Sequence, residues 1–193
     1  GRAQQLAGAG KYTDAVNTLE QLRRADPQAA TRDPDLQHLA GYCLMNLGQI
    51  QAAEMCFTYA TNAQPDHEPS RVDFATMLTR EGRHEEALAQ LDAALAANPS
   101  SALVARSKAN LLMDMGDYDR AGELLEPLAE RYERGAPKDH GPSLVYARWA
   151  LRSGDRERAL RLLGRAQTVS GLPPMARRLI HRRRGELSDK LGR

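Results

Sequence analysis

The chain has 193 residues, 41% hydrophobic, 5% aromatic and 27% charged, with a formal net charge of +2. No apolar run reaches the roughly 18 residues of a transmembrane helix, which excludes a membrane span. β-Branched runs are few and Asn-Gly turns absent, so a sheet is excluded in favour of helices joined by small Ala- and Leu-rich interfaces.

Taken in chain order, the predicted elements recur. A short helical stretch over residues 2–7 leads to Gly10. A helix carrying Tyr12, Ala15, Leu19 and Leu22 follows, and Pro27 stops it. Residues 28–33 read as a lengthened turn. A helix over 36–47 then reaches Gly48, and a second one carries Ala53, Phe57 and Ala60 up to Pro65. The next pair spans 72–81 and 84–97, turns at Gly82 and closes at Pro99. The following pair starts with 103–115, turns at Gly116, and carries Ala121 and Leu125 with Pro127 inside its second helix. A second lengthened turn falls at 132–141. A helix over 144–152, Gly154, and a helix carrying Ala159, Leu163 and Ala166 come next. Extra residues around 170–174 precede a last helix over 174–191 and Gly192. The second helices place apolar residues at i, i+3, i+4 and i+7, one buried stripe each.

The glycines give the period. Steps between Gly10, Gly48, Gly82, Gly116, Gly154 and Gly192 are 38, 34, 34, 38 and 38 residues. A fixed period of this length marks a stack of helical repeats. Each glycine supplies the positive φ that a tight helix-to-helix turn needs. Seven residues before them stand Gly41, Ala75, Ala109 and Ala147, where bulk would push the paired helices apart. A bend is expected at Pro127.

These residues resemble the tetratricopeptide repeat (TPR) family. One unit matches its pattern through Gly41, Gly48, Ala53, Phe57, Ala60 and Pro65. The next matches through Ala75, Gly82, Ala87, Leu91, Ala94 and Pro99. A third has Ala109, Gly116, Tyr118, Ala121 and Leu125, but Glu133 replaces the closing proline. A fourth has Ala147, Gly154 and Ala159, with Arg156 where Tyr is usual. The resemblance implies an all-α, right-handed α-α superhelix of about four full helix-turn-helix repeats, with partial repeats at both ends. The expected organisation is a single solenoid over 1–193: a partial repeat 1–27, repeats 34–67, 68–101, 102–135 and 140–173, and a terminal helix 174–193. The missing initiating Met and the incomplete end units predict a segment of a longer protein.

The resemblance also implies a non-catalytic scaffold that holds a peptide or protein in a concave groove lined by the first helices. Residues ten, six, three and two before each turn glycine face such a groove. Here they are His38, Tyr42, Met45 and Asn46; Val72, Thr76, Thr79 and Arg80; Arg106, Asn110, Met113 and Asp114; and Leu144, Arg148, Leu151 and Arg152. Of these, His38, Tyr42, Asn46, Thr76, Arg80, Arg106, Asn110, Arg148 and Arg152 are the expected peptide contacts. Some TPR proteins clamp a C-terminal carboxylate with a basic residue and Asn, a second Asn, and two further basic residues. Arg106 and Asn110 fit the first pair. Val145 stands in place of the second Asn, and Leu179 with Arg183 supplies one basic residue of two, so that clamp is incomplete.

Charge divides the chain. Residues 131–193 hold 16 Lys and Arg against 6 Asp and Glu, a balance of +10; residues 1–130 hold 11 against 19, a balance of −8. The basic end includes Arg148, Arg152, Arg156, Arg158, Arg161 and Arg165. It continues with a docking surface of Arg177, Arg178, Arg182, Arg183 and Arg184. Three readings remain open: a solvated helix face, a dock for an acidic partner or a following domain of the same chain, and a phosphate-binding patch. Nucleic acid is disfavoured, because only Tyr146 and Trp149 are interleaved and no base-reading motif is present. No membrane partner is expected.

Other motifs fail on spacing. Gly8-Ala9-Gly10-Lys11 is similar to the end of a phosphate loop, but Gln5 stands at the first glycine and Tyr12 follows the lysine. His84-Glu85 lacks the second zinc-protease histidine, where Leu88 stands. His38, His67, His84, His140 and His181 are scattered, so no metal and no cofactor is expected. Asp114, Asp117 and Asp119 lack a calcium loop's glycine and closing glutamate, and Asp117 and Asp119 read as helix-start carboxylates. No set of nucleophile, base and orienting group is expected, and the segment is read as no enzyme. Cys43 and Cys56 lie on facing helices, where a disulfide is geometrically conceivable, but read better as small buried hydrophobes in a reducing compartment, hence a cytoplasmic location.

An alternative comes from the end of the chain. Gly185-Glu186-Leu187 and Asp189-Lys190-Leu191-Gly192-Arg193 look similar to the final repeat before the catalytic domain in bacterial TPR sulfotransferases, with TPR-linked glycosyltransferases a related possibility. That resemblance implies a substrate-recruiting arm whose chemistry lies outside these residues.

Overall fold

A computed structural model describes residues 1–135, 141–168 and 174–190. Among these, twelve helices and no strand occur: α1 (Arg2–Gly8), α2 (Tyr12–Ala25), α3 (Pro27–Arg32), α4 (Pro34–Asn46), α5 (Ile50–Ala63), α6 (Glu68–Arg80), α7 (His84–Ala97), α8 (Ala102–Asp114), α9 (Tyr118–Arg134), α10 (Gly141–Arg152), α11 (Arg156–Ala166) and α12 (Pro174–Lys190).

Five helix pairs turn on the five glycines that the period picks out. Gly10, Gly48, Gly82, Gly116 and Gly154 have φ of 74°, 75°, 76°, 87° and 85°. In each turn the residue after the glycine donates its N–H to the carbonyl four before the glycine, as Gln49 to Leu44 at 2.9 Å and Arg83 to Leu78 at 2.8 Å. The glycine itself donates to the carbonyl three before, as Gly48 to Met45 at 3.1 Å. This is the Schellman pairing that satisfies a helix's orphan carbonyls. A Cβ at these five positions would meet nothing within 4 Å, so torsion, and not space, demands glycine. Gly192 lies outside the described residues.

Space rules at Gly41 instead. A Cβ there would come 2.9 Å from the Phe57 ring. The other repeats carry alanine at this position, Ala75, Ala109 and Ala147, and leucine where Phe57 stands. The smaller residue and the larger ring fill one volume together. Five residues after each turn, Ala15, Ala53, Ala87, Ala121 and Ala159 are fully buried.

The second helices end in two ways. Asp26, Gln64 and Asn98 leave α2, α5 and α7 in extended geometry, with φ near −137° in each, immediately before Pro27, Pro65 and Pro99. A residue preceding proline is pushed out of the helical region, so these helices stop at 14 residues. Without that proline α9 runs to 17. It also runs continuously through Pro127. Its buried residues, Ala121, Leu125 and Ala129, are spaced by four and four, whereas α5 buries both Ala60 and Thr61 after Ala53 and Phe57.

Residues 28–33, expected as a lengthened turn, instead belong largely to α3, which packs on α2, α4 and α5. The first helices also begin earlier than their apolar stripes. His67 caps α6, which starts at Glu68, four residues ahead of the predicted start, and Pro69 sits in its first turn. Asp33 likewise caps α4 through the N–H groups of Asp35 and Leu36. Asp117 caps α9 as its carboxylate reading requires.

The chain divides into two compact units, residues 1–104 and 105–193, with the boundary inside α8. The first is centred on stacked Phe57 and Phe74, 5.7 Å apart, with Met77, Leu78, Leu88 and Leu91. The second buries Leu112, Leu125, Tyr146, Trp149, Leu162, Leu163 and Ile180.

Candidate functional site

In the first unit the predicted contacts lie on α4 and α6, and most are already engaged. His38 Nε2 sits 2.8 Å from Asp73 Oδ2, joining α4 to α6. Tyr42 meets Tyr12 edge-on at 6.0 Å. A hydrogen bond donated by its hydroxyl to Tyr12, burial, and the nearby Asp73 charge hold the Tyr42 phenol above its usual pKa. Asn46 donates its amide to the Tyr42 carbonyl at 2.8 Å, and Thr76 its hydroxyl to the Val72 carbonyl at 2.9 Å. Arg80 is exposed at the end of α6. Met45 and Met113, expected on the groove wall, are buried at 6% and 2% exposure. An unbranched thioether at that position folds inward to fill the core.

Asp73 is a residue that the spacing rule missed. It lies nine before its turn glycine, outside the four positions considered, and its partner His38 is 35 residues away. A between-repeat pair leaves no mark on a within-repeat pattern.

One arrangement resembles hydrolytic chemistry. Asp35 Oδ1 lies 3.0 Å from His67 Nε2, and His67 Nδ1 lies 2.6 Å from Ser70 Oγ. No such set was expected from the sequence. The order of exposure argues against catalysis: Ser70 is fully buried, while the Asp35 side chain is 85% exposed. A nucleophile must reach substrate, and this hydroxyl does not. His67 also accepts the Ser70 N–H, so the cluster is the N-cap of α6. Among the described residues no three His, Cys, Asp or Glu side chains are placed to hold a metal ion.

In the second unit the arginines separate into two kinds. Arg158 is buried to 14% exposure. Its guanidinium bonds Glu126 at 2.8 Å and Glu133 at 3.1 Å, and lies 5.2 Å from the Trp149 ring centre. Burial works against its charge, but the two carboxylates outweigh it and its pKa is raised. Arg165 donates to the carbonyls of Tyr132 and Gly135 at the end of α9. A cation at a helix C-terminus satisfies orphan carbonyls and meets the dipole favourably. These two members of the basic end are therefore structural.

The others face solvent. Arg148 pairs with Asp114, and Arg152 lies over the Tyr118 ring at 5.7 Å. Arg106 hydrogen-bonds Tyr146, whose phenol is raised by burial against the opposing pull of that guanidinium. Asn110 is half-buried on the same helix. Arg148 and Arg152 of α10 border an open cleft of about 380 Å³ with Leu144, Leu151, Leu179 and Arg183. The structure thus brings two predicted groove residues together with one from the predicted docking surface. It divides that surface as well. Arg178 and Arg182 line a neighbouring cleft with Leu144 and Leu179. Arg177 lies in a different cleft with Gln167 and His181, which Arg178 also borders, and Arg184 donates to Gln167.

Two tetratricopeptide repeat models match the sequence, over residues 38–102 and 78–136. The chain belongs to the tetratricopeptide repeat family. Its fold class is the all-α solenoid of that family, whose repeats serve as protein-interaction scaffolds. No curated protein matches the chain. Among solved structures, a thermophilic TPR protein of Thermus thermophilus is similar at TM-score 0.74 and 19% identity, over 93% of each chain. A TPR protein from Parabacteroides merdae gives 0.69 at 19% identity, over 99% of this chain and 71% of that one. Kinesin-light-chain-like TPR repeats of Podosopora anserina give 0.66 at 22%, over 86% and 89%. At these identities the likeness concerns the fold. Among the described residues no helix is long and apolar enough to cross a membrane.

Proposed function

We propose that this TPR chain is a non-catalytic scaffold that binds a peptide or protein segment along the face formed by its first helices. The observation that carries it is the open cleft on α10, where Leu144, Arg148, Leu151 and Arg152 stand at the positions the repeat assigns to the groove. Helices held by repeated glycine turns preform such a face, so little ordering entropy is lost on binding. Arginines on an aliphatic floor offer charge-assisted hydrogen bonds beside apolar contact. On this reading the repeats of residues 1–193 act as one scaffold.

The test is selection from a displayed random-peptide library against the full chain, followed by affinity measurement of an enriched peptide. Replacing Arg106 and Arg148 together by alanine is expected to weaken that peptide about tenfold, the loss of two charge contacts. Unchanged affinity, or no enrichment at all, contradicts the assignment.

A further inference from the structure

The α10 cleft does not stand alone. Its neighbour, of about 430 Å³, shares Leu144 and Leu179 with it and extends to Met175 at the start of α12. Together they make one trough between α10 and α12. Its floor is aliphatic, and Met175 is left 83% exposed. Its rim carries Arg148, Arg152, Arg178, Arg182 and Arg183, and no acidic side chain is among the described residues that line it.

Several carboxylates of this unit are engaged elsewhere. Glu126 and Glu133 are taken by Arg158, Glu130 by Arg134, and Asp117 by Arg120. Asp114 holds Arg148, and Glu186 lies 3.8 Å from Arg182 and 3.6 Å from Arg183, both loose and exposed. Arg152 and Arg178 make no ion pair among the described residues. An apolar channel edged by two arginines without an ion pair, Arg152 and Arg178, and two loosely paired ones, Arg182 and Arg183, attracts an anion that also carries hydrocarbon. Nucleic acid is a poor match. Tyr146 and Trp149 are buried, Trp149 lies against Arg158, and Tyr118 lies under Arg152, which leaves the trough no bare ring on which a base could stack.

We infer that the α10/α12 trough binds an acidic segment of a partner protein, in which aspartates or glutamates flank leucine- or methionine-sized side chains. The apolar side chains enter between Leu144, Leu179 and Met175, and the carboxylates meet Arg152, Arg178 and Arg183. This deepens the scaffold reading and rests on it, by naming the chemistry of one stretch of its groove.

The test is fluorescence anisotropy with the full chain and a labelled synthetic peptide in which pairs of leucines alternate with pairs of glutamates. A lysine-for-glutamate counterpart and a labelled oligothymidylate serve as the other probes. The glutamate peptide is expected to bind, to weaken as salt rises from about 0.05 to about 0.5 M, and to outcompete both others. The double variant Arg152→Ala, Arg183→Ala is expected to lose about tenfold in affinity. Met175→Ser, at an exposed position that leaves the core untouched, is expected to lose about fivefold. No preference for glutamate over lysine, or tighter binding to the oligonucleotide, overturns the inference. A library-selected peptide that is weakened by loss of Arg106 and Arg148 but binds the Arg152/Arg183 variant unchanged overturns it while leaving the scaffold reading in place.

Discussion

The first helices of the two units use the same repeat positions for opposite ends. In residues 1–104, His38 is paired with Asp73, Tyr42 packs on Tyr12, and Asn46 and Thr76 bond their own helices. In residues 105–193, arginines outnumber carboxylates, and Arg148, Arg152, Arg178, Arg182 and Arg183 border an aliphatic trough. Position within a repeat places a side chain on a face. Whether it is available to a ligand depends on what the adjacent repeat offers it. A polar group with an internal partner has little to gain from a ligand, whereas an exposed arginine without one does.

The comparison breaks most visibly at Arg158. Arg158→Ala removes the shared partner of Glu126 and Glu133 and uncovers Trp149. A loss of about 2–3 kcal/mol in urea unfolding is expected, below the full cost of a deeply buried pair because Glu126 is half exposed. Exposed Arg152→Ala should leave stability within about 0.5 kcal/mol. Equal effects would show that the two kinds of arginine are not distinct.

Next in size is the Gly41–Phe57 volume. Gly41→Ala is expected to cost about 1–3 kcal/mol by overpacking against the ring. Adding Phe57→Leu should recover most of it, because alanine with leucine is what the other repeats carry. A double variant no better than Gly41→Ala contradicts shared volume. Gly82→Ala tests torsion separately. It should cost about 1–2 kcal/mol although its Cβ meets nothing.

The smallest effect is that of pH on the first unit. Arg83 bonds Glu86 and Glu54, and its hydrogen bond draws Glu86 below the ordinary value of 4.5 despite a weaker opposing desolvation. A carboxylate whose folded pKa is depressed contributes stability above its unfolded pKa and loses it as pH falls through the folded one. The Tm should therefore drop as pH falls below about 4.5, and Arg83→Ala should flatten that drop. An unchanged slope in thermal melts would assign it to other carboxylates.

The glycine ladder made the fold legible because one torsional need recurs at Gly10, Gly48, Gly82, Gly116 and Gly154. Proline stops at Pro27, Pro65 and Pro99 were legible for the same local reason. What escaped was tertiary. Helix α3 lacks any apolar stripe of its own and is held by α2, α4 and α5. Residues 68–71 extend α6 because His67 caps it, not because they are apolar. Of the candidate site, spacing singled out Leu144, Arg148, Leu151 and Arg152, which line one cleft, but also Met45 and Met113, which are buried. Illegible were the partners that occupy His38 and Arg158, since each comes from another repeat.

The most direct test of the contrast between the units is a two-dimensional amide NMR titration of the full chain with the leucine–glutamate peptide. Shifts concentrated at 144–152 and 175–183, with 38–46 and 72–80 unmoved, are the predicted result. Shifts concentrated at 38–46 and 72–80 would contradict it.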